Sequence, residues 1–243
     1  MEENQKETKQ KKKLLIASDC FLPRWDGITR FLIEIIPKLK EDYDITLIAP
    51  EFPGELKLKP VEGINIVRFP IMKLKFGDIN FSWFHYFKIK KLMKEHDLLF
   101  SQTIGPIGMS AIKAAKKLKK PSVAFIHSVE WELATKSIDK LKLIINMGMK
   151  MLIKHYYNKV SLLLVPSLEV GELYRKNGVS TQYKVVHLGT DVNKFVPVEN
   201  KADAKKALNI DPNFTVIGFS GRIGREKNLI TLYRAFRRIE KKY

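Results

Sequence analysis

The sequence predicts an α/β fold built on a doubly wound, mostly parallel sheet, and three observations predict it. Short apolar runs alternate with longer segments of helical periodicity over most of the chain. Most of those runs are apolar throughout instead of alternating with polar residues, the pattern of parallel strands covered on both faces. No internal repeat of fixed period competes with this reading.

In chain order, the strand candidates are Leu14–Ser18, Ile45–Ala49, Ile64–Phe69, Leu98–Ser101, Ser122–His127, Ser161–Pro166, Lys184–Leu188 and Thr215–Ser220. The helix candidates begin with Ile28–Glu41, where Phe31, Leu32, Ile35, Ile36 and Leu39 recur at helical spacing. Phe84–Glu95, Ile107–Leu118, Leu141–Asn158, Leu168–Asn177, Ala202–Leu208 and Asn228–Glu240 follow. Strand and helix in alternation imply right-handed βαβ units, which place ligands beyond the carboxyl ends of the strands.

Residues 1–13 read as a disordered basic tail. The apolar run after Lys11-Lys12-Lys13 ends at Ser18-Asp19, too short for the ~7–15-residue core of a signal peptide. Residues 14–196 read as the first domain, and Val196-Pro197-Val198-Glu199-Asn200 interrupts both patterns. Residues 197–243 read as a linker and the start of a second domain. That stub holds a single strand candidate, which lacks the neighbours a parallel strand needs.

With 45% hydrophobic residues the chain can build a core, which excludes global disorder. Lys and Arg outnumber Asp and Glu by 44 to 26, a formal net charge of +18. That excess attracts phosphate in any setting: nucleic acid, an anionic membrane surface or a diphosphate substrate. Nucleic acid is not expected as a partner, since no recognition-helix motif and no interleaving of aromatics with cations is present. The single cysteine, Cys20, excludes an intrachain disulfide and suits a cytoplasmic setting. After an apolar run it reads as a small core side chain.

Three segments combine residues suited to chemistry. Asp19 to Gly27 links the first strand to the first helix; there Asp26 can cap the helix and Gly27 permits close backbone approach. A plain strand-to-helix turn explains the same residues. His127 ends a strand and enters a polar cluster with Ser128, Glu130 and Glu132, well placed to bond a sugar hydroxyl, although a lone histidine is often structural. Gly221-Arg222-Ile223-Gly224-Arg225-Glu226-Lys227 precedes a helix whose N-terminus favours anions. Its glycines and cations suit a diphosphate, its spacing is not that of a P-loop, and a solvated basic turn is the alternative. Asp42-Tyr43-Asp44 reads as a turn, not a metal site.

The third segment carries a specific resemblance. Gly221-Arg222 with Glu226-Lys227-Asn228-Leu229 and Ala235-Phe236 resembles the donor-phosphate motif of family 4 glycosyltransferases. His187-Leu188-Gly189-Thr190-Asp191 with Phe195 and Pro197 is similar to the linker signature of that family, and Val165-Pro166-Ser167 with Glu172, Leu173 and Gly178 fits the segment before it. His127 matches the family's histidine near the transferred sugar. The resemblance implies a GT-B architecture of two Rossmann-like domains, the second incomplete here, and transfer with retention and without a metal or other cofactor. It implies catalytic roles for His127, Arg222 and Lys227, donor contacts from Gly27, Gly221, Arg222 and Lys227, and acceptor-side positions for Asp26 and Glu130. Arg222 and Lys227 would neutralise the leaving nucleoside diphosphate.

The implied partners are a nucleotide-sugar donor and a lipid or glycan acceptor. Asp26 stands where many members have a first glycine, and the family's Glu-x7-Glu motif is absent from these residues, so this chain alone is expected to be inactive. The rival readings are a sugar-nucleotide epimerase of the same architecture and a non-catalytic basic binding domain. Leu141–Asn158 mixes apolar residues with Lys142, Lys150 and Lys154 and holds no acid. It reads either as an ordinary amphipathic helix with a solvated lysine face or as a surface facing the inner side of a membrane.

Overall fold

The computed structural model describes residues 10–54, 61–76, 79–137, 142–221, 223 and 227–240. The chain divides into two compact units, Met1–His187 and Leu188–Tyr243.

The first unit runs β1 (Lys12–Ala17), α1 (Gly27–Leu39), β2 (Tyr43–Glu51), β3 (Asn65–Phe76), β4 (Ile79–Ser82), α2 (Tyr86–Lys94), β5 (Leu98–Ser101) and α3 (Pro106–Lys117). It continues with β6 (Ser122–Phe125), α4 (Glu130–Ser137), α5 (Lys142–Tyr157), β7 (Leu162–Val165), α6 (Leu168–Lys176) and β8 (Tyr183–Val185). The strands form one sheet in the order β4-β3-β2-β1-β5-β6-β7-β8. Among the described residues, only the β3–β4 pair is antiparallel. This is the doubly wound, Rossmann-like sheet the sequence predicts.

The apolar runs fold this way because the central strands feed two cores. Leu15 and Ala17 of β1 point into one, with Ile48 of β2 and Ile107, Ala111 and Ile112 of α3. Leu14 and Ile16 point into the other, with Leu47 of β2 and Leu32 and Ile36 of α1. Each fully buried Leu or Ile contributes about 1.5–3 kcal/mol, so both faces must be covered. Helix α1 covers one, while α2, α3, α5 and α6 cover the other.

The structure corrects several expectations. Lys12 and Lys13 belong to β1 and not to a tail: they pair in register with Tyr43 and Asp44, and Lys13 N–H donates to Asp97 at 2.7 Å. Residues 1–9 lie outside the described residues. Asp44 is part of β2 rather than of a turn. Strand β4 and helix α4 were not predicted; β8 is shorter than its apolar run because only Tyr183–Val185 finds a partner in β7.

The second unit contains α7 (Lys201–Ala207), capped by Asn200 Oδ1 accepting from Ala202 N–H at 2.8 Å, and α8 (Leu229–Glu240). Thr215–Ser220, predicted as a strand, forms none. No strand occurs among the described residues of this unit, so an apolar run there has no ladder to join.

Candidate active site

Parallel β1, β5 and β6 present their carboxyl ends at one edge of the sheet, and the loops that follow them build the site. The β1–α1 loop is fixed by Asp19. Its carboxylate accepts from Thr103 Oγ1 at 2.7 Å and from the amides of Ile107 and Gly108 at 2.8 and 3.1 Å. Thr103 Oγ1 in turn accepts from Asp19 N–H at 2.9 Å. Helix α3 has no cap from its own N-cap residue, Gly105, so Asp19 caps it across the sheet edge. Burial pushes the Asp19 carboxyl above the usual carboxylate range, while these hydrogen bonds pull against that rise.

The close approach requires glycine at two places. A Cβ on Gly105 would lie 2.3 Å from Asp19 Cγ, and one on Gly108 would lie 1.9 Å from the Thr103 carbonyl oxygen.

Asp26 is the N-cap of α1. Its Oδ1 accepts from Thr29 N–H at 2.9 Å, and Cys20 donates its thiol proton to Oδ2. Burial first, and then the Asp26 charge, push the Cys20 thiol well above its usual range, which makes it an inert core group. The Asp26 carboxylate is thus occupied in holding the loop, in contrast to the acceptor-side position implied for it. Gly27 is the first residue of α1 and is exposed, and a Cβ there would meet nothing within 4 Å.

His127 follows β6 and is half-buried. Its ring stacks on Phe125, centroids 4.6 Å apart, and meets Phe31 of α1 edge-on at 5.0 Å. His127 Nε2 lies 2.9 Å from Gln102 Oε1. An amide oxygen only accepts, so Nε2 carries the proton and Nδ1 the lone pair. Burial lowers the His127 pKa to about 4, with the Asp26 charge opposing. The imidazole is therefore neutral at pH 7 and offers a hydrogen-bond acceptor, not a cation. The contact with Phe31 joins α1, which Gly27 opens, to the loop after β6, so Gly27 and His127 share one edge.

Glu130 was expected on the acceptor side. Its carboxylate is instead turned inward, taking the Tyr157 hydroxyl at 2.6 Å and the Tyr174 hydroxyl. It braces the start of α4 against α5 and α6. Burial raises its carboxyl, and the two tyrosine hydroxyls partly offset the rise.

Gly221 and Lys227 belong to the second unit. Gly221 has φ of +153°, a conformation that favours glycine. Lys227 is exposed beside the N-terminus of α8. Arg222 lies outside the described residues.

The sequence reading missed Asp19, Gln102 and Thr103 as site-building residues. A signal existed: Gln102-Thr103-Ile104-Gly105-Pro106 directly follows the apolar run Leu98–Ser101, the same strand-end position that singled out His127.

Comparison with known proteins agrees with this fold. The model of Glycosyltransferase Family 4 matches residues 25–194. Alpha-monoglucosyldiacylglycerol synthase of Streptococcus pneumoniae is 27% identical over 229 residues, covering 91% of this chain and 51% of that protein. GDP-mannose-dependent alpha-mannosyltransferase of Corynebacterium glutamicum is 23% identical over 230 residues, 89% of this chain and 52% of its own length. The chain thus spans about half the length of these curated relatives. Among solved structures, sucrose-phosphate synthase from Thermosynechococcus elongatus superposes with a TM-score of 0.63 at 15% identity, over 95% of this chain and 60% of that one. Anabaena HepE, solved with UDP and glucose, gives 0.50 at 17% identity over 81% and 50%. These two share the fold. With its model matched over well over half of the 243 residues, the chain belongs to Glycosyltransferase Family 4.

Proposed function

We propose that residues 14–196 form the acceptor-side domain of a retaining glycosyltransferase and that residues 197–243 begin its donor-binding domain. The enzyme moves a hexose from a nucleotide-sugar donor to a lipid or glycan acceptor. The observation that carries the reading is the family match over 25–194, which spans Gly27 and His127 on one sheet edge. The relatives named for glucosyldiacylglycerol synthesis and for GDP-mannose-dependent transfer support the donor and acceptor classes.

In this reading a neutral His127 accepts a hydrogen bond from a hydroxyl of the transferred sugar, while Gln102 holds its tautomer. The open face of Gly27 lets donor or acceptor approach the α1 backbone. Arg222 and Lys227 meet the charge that develops on the departing nucleoside diphosphate, so no metal or other cofactor is required for that role. Because these residues contain no Glu-x7-Glu, they supply only part of the donor contacts and bind the donor weakly by themselves. The protein works in the cytoplasm, peripheral to the inner membrane face.

The test is transfer of radiolabel from UDP-glucose or GDP-mannose to diacylglycerol in mixed micelles by the protein from the complete reading frame. Labelled glycolipid with its anomeric configuration unchanged from the donor is expected. Epimerised donor, or no transfer from either donor to diacylglycerol or to glycan acceptors supplied in parallel, would reject the reading.

A further inference from the structure

Helix α5 inverts the usual distribution of polarity. A surface helix buries its apolar stripe and turns polar residues to solvent. Here Ile153 and Tyr157 are buried in the core beside α3, yet the side of the helix turned to solvent carries Leu143, Ile144, Met147 and Met151, exposed at 74%, 65%, 58% and 71%. Residues 143, 147 and 151 lie one turn apart on one line, with 144 beside them, so they form a single stripe. It extends over about 12 Å of helix axis. The solvated lysine face expected of an ordinary amphipathic helix is therefore not what the outer side presents.

Lysines border the stripe. Lys142 and Lys154 stand exposed at its two ends, and Lys150 flanks it, its ammonium 5.6 Å from the centre of the Trp131 ring. Residues 142–157 contain no aspartate or glutamate. An apolar stripe on a helix whose charged residues are all cationic matches a surface with an anionic layer over a hydrocarbon one. A second copy of the chain matches it poorly, because pairing two such stripes sets lysine against lysine on molecules that each carry +18. No helix among the described residues is long and apolar enough to cross a membrane, which leaves α5 to lie in the interface.

We propose that the outer face of α5 is the membrane-docking surface of this protein, with Leu143, Ile144, Met147 and Met151 inserted among the acyl chains and the lysines on anionic headgroups. The inference rests on the membrane-peripheral reading above and names its surface. Topology gives the docking a purpose. The chain leaves β6 at the edge carrying His127 and returns through α4 and α5 to the start of β7. The N-terminal end of α5, with Leu143 and Ile144, therefore lies toward the site edge. A docked α5 brings that edge to the bilayer, where a lipid acceptor resides.

The test is sedimentation of the 243-residue chain with sucrose-loaded vesicles of phosphatidylcholine, alone or mixed with phosphatidylglycerol. The wild type is expected to bind the mixed vesicles more tightly, and less so as salt rises. Replacing Leu143, Ile144, Met147 and Met151 together by Gln should lower the partition coefficient roughly tenfold or more. These side chains point outward, so the circular dichroism melt should be unchanged. Lys142→Gln with Lys154→Gln should reduce the preference for anionic vesicles by roughly fivefold per lysine. No transfer activity enters the readout, so failure of the catalytic reading leaves this test intact. Equal vesicle binding by the fourfold variant, or none by the wild type, overturns the proposal. So does a wild-type dimer in light scattering that the fourfold variant abolishes without any vesicle binding.

Discussion

Asp19→Ala probes how the site edge is held together. The carboxylate serves three donors: the Thr103 hydroxyl and the amides of Ile107 and Gly108. In the alanine variant the hydroxyl can turn elsewhere, but the two amides belong to the first turn of α3 and have no intrahelical partner. A buried donor left without an acceptor costs about 1–3 kcal/mol. Two of them give about 2–6 kcal/mol, and removing a carboxylate whose burial is itself unfavourable returns about 1 kcal/mol. The expected net loss is about 1–5 kcal/mol, appreciable against a typical domain stability of about 5–15 kcal/mol. Urea unfolding should show a lower midpoint at unchanged slope. Hydrogen exchange should show the Ile107 and Gly108 amides losing protection before the centre of α3 does. Asp19→Asn keeps one accepting oxygen and should fall between wild type and alanine. An alanine variant within about 0.5 kcal/mol of wild type, with both amides still protected, would refute the bridging role.

His127 makes a pH prediction. Its pKa is about 4 in the folded chain against an ordinary 6.5, so the unfolded chain takes up a proton that the folded chain refuses as pH falls between those values. Stability is lost across that window by about 3 kcal/mol, and a His127→Gln variant should lose that much less between pH 7 and pH 4; parallel curves would show that the ring is not held neutral. Gly27→Ala should melt within about 0.5 kcal/mol of wild type, since its Cβ would enter open space at a helix start, whereas Gly108→Ala, meeting the Thr103 carbonyl, should lose more than about 2 kcal/mol. Comparable melts for the two variants would contradict the packing described. In a complete enzyme Lys227→Ala or Arg222→Ala should lower kcat by about 10²–10³ with a smaller rise in donor KM, and an unchanged kcat would remove these cations from the leaving-group role.

The sheet was legible in the sequence wherever a strand is buried on both faces. β1, β2, β5, β6 and β7 are short apolar runs because each contributes to two cores, and that demand writes itself into consecutive residues. β4 was not legible: Ile79–Ser82 pairs on one side only, antiparallel to β3, and shows no apolar run. Lys12 and Lys13 were missed as strand residues because ladder position is set by the neighbouring β2, not by their own polarity. At the site, strand-end position singled out His127 and Gly27, and the fold places both at one edge of the sheet. The capping role of Asp26 was legible beside Gly27, whereas that of Glu130 was not, because a carboxylate near a ligand edge and one that seats a tyrosine pair look alike in sequence. Gln102 and Asp19 act through partners some 25 and 84 residues away, and such contacts appear only once the fold has been built.

The site at the shared carboxyl edge is tested most directly by one comparison. Sugar transfer from the nucleotide-sugar donor is measured for the complete enzyme and for its His127→Ala variant, at matched folded fraction. A neutral imidazole bonded to the transferred sugar predicts turnover lower by on the order of 10–10² in the variant. Turnover equal to wild type, with the fold intact, would place the chemistry elsewhere on the molecule and contradict the account.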